Sequence, residues 1–115
     1  MMQSIVLPDL KAMAADPELA WEAFRPGVEI HRLYPPTPDG TAAALLRYQP
    51  GASVPRHLHT GFEHILVLSG SQTDDNGTYT AGSLVVNPPG TRHTVSSPEG
   101  CIVLAIWAKP VHIEE

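Results

Sequence analysis

The chain holds a single cysteine, Cys101, so no disulfide can close within it and the pattern of a secreted, disulfide-stapled scaffold is excluded. A cytoplasmic location is the expectation that follows. Basic residues are also scarce. Only 7 Lys and Arg stand against 12 Asp and Glu, a formal net charge of −5, which leaves no basic stripe for a phosphate backbone and argues against nucleic acid as a partner. The N-terminus, Met1-Met2-Gln3-Ser4-Ile5-Val6-Leu7, has neither the positive flank nor the apolar core of a signal peptide. No apolar run approaches the ~20 residues of a membrane span, so a soluble, untargeted chain with no membrane partner is expected. Three catalytic patterns are missing as well: a Gly-x-Ser-x-Gly elbow, a phosphate-cradling glycine loop and a Cys-x-x-Cys pair.

What is present fits one small β domain. At 115 residues and 12.4 kDa there is material for a single core. The 12 prolines and 9 glycines favour many turns and short strands. Strand-length segments run over 28–34, 42–49, 65–69, a short piece near Ser71, 78–80, 84–87, 93–96 and 102–108, with turns such as Pro35 to Gly40 and Pro50-Gly51 between them. Roughly eight short strands predict an all-β sandwich or barrel. Residues 1–27 differ in texture and are read as an N-terminal extension to a barrel domain over 28–115. Within the extension Asp16 is a reasonable helix N-cap with Pro17 at the first helical position, although Trp21 and Phe24 suit an extended segment equally.

The chemistry-bearing residues cluster between Gly51 and Gly70, where His57, His59 and Glu63 fall within seven positions. Side chains two apart on a strand share a face, so His57 and His59 point the same way, while His64 points away from Glu63. A further histidine, His93, follows the turn Pro88-Pro89-Gly90. Imidazole with carboxylate suits a borderline divalent ion rather than calcium or magnesium. His31 and His112 read as ordinary polar residues. Arg56, Asn87, Arg92 and Ser96 are near enough in sequence to orient the imidazoles, although solvated positions are the commoner fate of such residues. Cys101 opens an apolar stretch and reads as a buried, inert thiol; Trp107 reads as core.

Two blocks carry a family resemblance. The first fits Gly-x5-His-x-His-x3-Glu-x6-Gly from Gly51 to Gly70, and the second fits Gly-x5-Pro-x-Gly-x2-His from Gly82 to His93. The chain thus resembles a single-domain, RmlC-like cupin. The resemblance implies a small jelly-roll β-barrel with His57, His59, Glu63 and His93 as four ligands to one divalent transition metal, zinc first, with iron, manganese or nickel as alternatives. Where the second block usually continues to an asparagine, this chain has Ser97.

A closer likeness, to the cupin domain of ChrR-type zinc anti-sigma factors, lies in Gly70-Ser-Gln-Thr-Asp74-Asp75-Asn-Gly77-Thr-Tyr79-Thr-Ala-Gly82 and in the short link of residues 71 to 81 between the two blocks. Those factors carry a separate helical domain with its own zinc ligands that grips the sigma factor. Here the region before the barrel has no Cys and no His. The expectation is a sensory half alone, a homodimer by family analogy, that binds or senses an unknown small molecule in the barrel. The competing expectation is a metal-dependent enzyme, a dioxygenase acting on a small organic substrate.

Overall fold

The computed structural model describes residues 3–114 and is an all-β jelly roll with one short helix. Helix α1 spans Leu10–Ala15; the strands are β1 Glu22–Arg25, β2 Val28–Arg32, β3 Ala42–Tyr48, β4 Ala52–His59, β5 Glu63–Asp74, β6 Gly77–Thr80, β7 Leu84–Asn87, β8 Arg92–Ser97, β9 Cys101–Trp107 and β10 Val111–Ile113. They form a curled 10-stranded sheet in the order β1-β2-β3-β9-β5-β8-β4-β10, with β6 and β7 also pairing β5. Every pairing is antiparallel.

Strand β5 makes the curl possible. Its first part, Glu63 to Gly70, pairs β9 and β7, whereas its last part, Ser71 to Asp74, pairs β6 and β8. One strand therefore belongs to both walls of the barrel. The sequence suggests a break near Gly70, yet the strand runs through it with a register shift between Val67 and Ser69. Glycine is required there for two reasons. The backbone has φ 71°, and an added Cβ would lie 2.0 Å from the Gly100 carbonyl oxygen.

Inward-facing residues follow the period-two rule and make one core of Val28, Ile30, Ala44, Leu46, Val54, Ile65, Val67, Val95, Val103 and Ala105. Cys101 lies in this core, and burial pushes its thiol above the usual cysteine range, so it is held protonated. The outer face of the β3–β9–β5 wall carries a smaller cluster, in which Ala14 of α1 packs on Leu45 and Leu68.

Two local expectations fail. The helix starts earlier than Asp16: Asp9 is the N-cap, its carboxylate accepting from the Ala12 N–H at 3.0 Å. Asp16 closes that helix instead and accepts from the Glu18 N–H at 2.9 Å, a local turn that satisfies the backbone before β1. Trp21 lies just before β1 and Phe24 within it, the extended alternative. Strand β10 has no counterpart in the sequence reading, because three residues after Pro110 carry too little pattern. No helix among the described residues is long and apolar enough to cross a membrane.

Candidate metal centre

Four side chains converge inside the barrel: His57 and His59 from β4, Glu63 from β5 and His93 from β8. All four are buried, and one ligand atom from each lies within 4.8 Å of the others. The register explains how. A bulge between Val54 and His57 on β4 lets both residues face inward although they are three apart, and His59 follows by period two. His57 sits directly opposite His93 across the β4–β8 ladder, so their rings meet. Glu63, the first residue of β5, faces the same interior.

The outer nitrogen of each ring is held. His57 Nδ1 lies 2.8 Å from the Pro55 carbonyl, an acceptor only, so this nitrogen donates. His93 Nδ1 lies 3.1 Å from the Asp74 carboxylate, whose pKa is lowered because burial is outweighed by hydrogen bonds from the Asn76 N–H, the Tyr79 hydroxyl and His93. Asp74 is thus an acceptor too. His59 Nδ1 lies 2.9 Å from Thr91 Oγ1, and that hydroxyl gives its own hydrogen to the Pro88 carbonyl at 2.6 Å. Thr91 must accept from His59. In the neutral rings all three protons are therefore on Nδ1, and all three Nε2 lone pairs point into one space.

That space is short of protons. His59 Nε2 is buried without a hydrogen-bond partner, 3.1 Å from Glu63 Oε1 but poorly aligned with it. His57 Nε2 and His93 Nε2 face each other at 3.0 Å. Burial pushes the His57 pKa down, with the neighbouring imidazoles acting in the same direction, which favours the neutral ring. Burial alone would raise the pKa of Glu63, but its contacts with His59, Trp107 and Asn87 outweigh it and keep the carboxyl ionised. Three converging lone pairs, one of them on a nitrogen with no hydrogen-bond partner, beside a buried carboxylate suit a divalent cation. The donor set fits one transition-metal ion.

Glu63 is fixed by its cross-strand neighbours. Asn87 on β7 and Trp107 on β9 are its two partners in register. Asn87 Nδ2 donates to Glu63 Oε1 at 3.0 Å and Trp107 Nε1 donates to Oε2 at 2.7 Å. Of the orienting residues considered from sequence, Asn87 is therefore at the site. Arg56 and Arg92 are not: Arg56 pairs with Asp75 and Arg92 with Glu114 at the surface. Ser96 makes no side-chain hydrogen bond to the site among the described residues. Asp74, Thr91 and the polar role of Trp107 escape a reading of spacing, since each depends on strand pairing far along the chain. His64 stacks on Phe62 away from the cluster, and His31 bonds the Ala20 carbonyl.

Beside His57, Glu63 and His93 lies a cavity of about 50 Å³, walled by aliphatic residues including Val54, Ile65 and Val95 and by Tyr48. It has room for a few waters or a diatomic molecule. It is well below the roughly 300–1,000 Å³ typical of pockets for organic ligands.

Fold and site together define a cupin, a jelly-roll barrel whose motif histidines and glutamate converge in its interior. More narrowly, the pattern of the ChrR cupin-like domain matches residues 10–111, and the chain belongs to that family. It is 32% identical over 96 residues to the anti-sigma-E factor ChrR of Cereibacter sphaeroides, covering 82% of this chain and 44% of that protein. The chain thus spans less than half the length of that relative. The crystal structure of Rhodobacter sphaeroides SigE in complex with the anti-sigma ChrR matches with TM-score 0.72 and 29% identity over 85% of this chain and 55% of that one. An RmlC-like cupin protein from Ralstonia eutropha JMP134 matches with TM-score 0.74 and 27% identity over 84% of this chain and 68% of that one.

Proposed function

We propose that this protein is a metal-binding cupin module that senses or binds a small molecule. His57, His59 and His93 would hold one divalent transition ion through Nε2 and Glu63 through its carboxylate, zinc first, with iron, manganese or nickel accepted by the same donors. The observation that carries this reading is the set of three Nδ1 atoms tied to acceptors, which leaves three buried lone pairs facing one carboxylate. Kinship with the cupin domain of an anti-sigma factor supports a sensory role, and that relative's grip on a sigma factor belongs to its own longer chain. The same proposal takes 28–115 as the barrel domain with 1–27 as its extension, in a cytoplasmic homodimer. Exposed Leu84, Val86 and Ile106 on the outer face of β7 and β9 support the dimer. The mass in solution tests it.

Protein purified without an affinity tag or chelator is expected to carry one equivalent of metal by elemental analysis, and His59→Ala is expected to lose it. Folded, metal-free protein that takes up no ion on addition would sink the reading. A second reading, a metal-dependent dioxygenase, is favoured by one observation: the 50 Å³ cavity touches three of the four ligands and matches the size of dioxygen. When bound, an iron or manganese ion would supply dioxygen chemistry at that cavity. Oxygen consumption by the iron-loaded protein with phenolic or keto substrates would establish the enzyme; none across a broad panel favours the sensor.

A further inference from the structure

Outside the inner cavity lies a second, larger hollow of about 320 Å³, lined by Ile30, Arg32, Pro36, Pro110 and neighbouring residues. It shares Phe24, Arg25, Trp107 and Val111 with the inner cavity, so the two adjoin and the hollow is a vestibule beside the candidate metal centre. Its volume is at the lower end of the range for small organic ligands, roughly 300–1,000 Å³. The inner cavity is several times smaller, so this hollow is the better fit for an organic ligand.

The charge of the vestibule is unusual for this chain. Arg47, Arg56 and Arg92 each pair with a carboxylate, to Glu29, Asp75 and Glu114 respectively. Arg25 and Arg32 have no carboxylate partner among the described residues, in a chain where 12 acidic residues face 7 basic ones. Both are in phase with the core-facing positions of their strands, Arg25 half-buried and Arg32 exposed. Val28 and Ile30 are buried core residues of β2, and period two places Arg32 on their face, where β2 ends at the rim. Arg25 is the cross-strand partner of Val28 and shares that face too. Its guanidinium carbon lies 5.4 Å from the centroid of Phe24, which leaves the N–H edge free to donate.

Two unpaired guanidinium groups over apolar walls define a receptor for an anion with an apolar body. We infer that the vestibule binds a small organic carboxylate, its charge held by Arg25 and Arg32 and its body against Ile30, Trp107 and Val111. Guanidinium matches a carboxylate with two parallel hydrogen bonds. A hydrated inorganic anion would gain nothing from the aliphatic walls. Trp107 couples the two chambers, because its ring lines the vestibule and its Nε1 holds Glu63 at 2.7 Å. The inference deepens the sensing reading by naming its ligand class, and the two fail separately.

The test is calorimetric titration of the full chain, zinc-loaded and metal-stripped, with benzoate, benzamide and inorganic phosphate. Benzoate is expected to bind saturably to both forms, and benzamide and phosphate at least tenfold more weakly. Arg32→Gln and Arg25→Gln should each weaken benzoate at least tenfold, with Arg92→Gln, at a paired surface arginine, unchanged. Benzamide or phosphate binding as tightly as benzoate would overturn the inference. So would the absence of saturable benzoate binding, benzoate binding that requires zinc, or a folded Arg32→Gln that binds as before. If an arginine variant does not fold, the comparison of benzoate with benzamide on the natural chain decides. Metal content measured on the same samples judges the metal reading apart from this one.

Discussion

The two walls of the barrel are built from the same kind of strand and filled with opposite chemistry. On β3 and β9 the inward side chains are Ala44, Leu46, Val103 and Ala105, each at most 5% exposed. On β4 and β8 the equivalent positions include His57, His59 and His93, equally buried. An apolar wall contributes to folding in proportion to the area it removes from water. A wall of imidazoles does not, because a buried polar atom left without a partner, as His59 Nε2 is, costs free energy. On the metal-binding proposal, one wall holds the fold and the other would hold an ion.

The sharpest way to break that contrast is to supply the ion. With zinc at a thousandfold excess over its dissociation constant, the folded state should gain about 4 kcal/mol, measured by chemical denaturation with and without metal. His93→Ala should gain close to nothing from the same addition. An equal gain in the variant would mean that zinc binds elsewhere.

The next effect lies on the other wall. Leu46→Ala removes a side chain that is 5% exposed within the main core, and such truncations cost about 2–5 kcal/mol. This cost should be the same with and without zinc, because Leu46 offers no ligand atom. A metal-dependent cost would join the two walls into one energetic unit.

Smaller again is the contribution of the groups that aim the imidazoles. Asp74→Ala and Thr91→Val remove the acceptors of His93 Nδ1 and His59 Nδ1. Each should lower metal affinity by about 10–100-fold, read by competition with a chromophoric chelator, with the fold intact. Full affinity in both variants would show that packing alone orients the rings.

How much of this can be read from the chain depends on sequence distance. His57, His59 and Glu63 are legible because period two and a single turn place them together. His93 is legible through its block, since the Pro88 to Gly90 turn fixes where β8 begins. Asp74 is not legible, because it reaches His93 only through the far end of β5, a strand that continues past a glycine where a break is the natural reading. Trp107 looks like core in its apolar run, and half of that is right: its ring packs against the core while its N–H meets Glu63 through a register no spacing reveals. The start of the helix fails for a local reason. Asp9 and Asp16 both cap backbone N–H groups, and only the packing of Ala14 against Leu45 and Leu68 decides which of them opens a helix.

The smallest expected change is also the most telling about what the polar wall is for. In metal-stripped protein His59 donates through Nδ1 to Thr91, but its Nε2 is buried without a partner and faces a carboxylate oxygen at 3.1 Å. His59→Leu keeps a similar volume and removes that orphan atom. It loses the hydrogen bond to Thr91, worth about 1 kcal/mol, and the contact with Glu63, but Asn87 and Trp107 still donate to that carboxylate and Thr91 still donates to the Pro88 carbonyl. Burying aliphatic surface in place of an unsatisfied ring nitrogen offsets the loss. Metal-free His59→Leu should therefore lie within about 1 kcal/mol of the metal-free natural chain by denaturant titration, and a small gain is consistent with the same argument. A loss as large as that of Leu46→Ala would mean that His59 supports the fold itself. Near-equality would mean that the histidine wall is retained for the ion, at no benefit to the empty barrel.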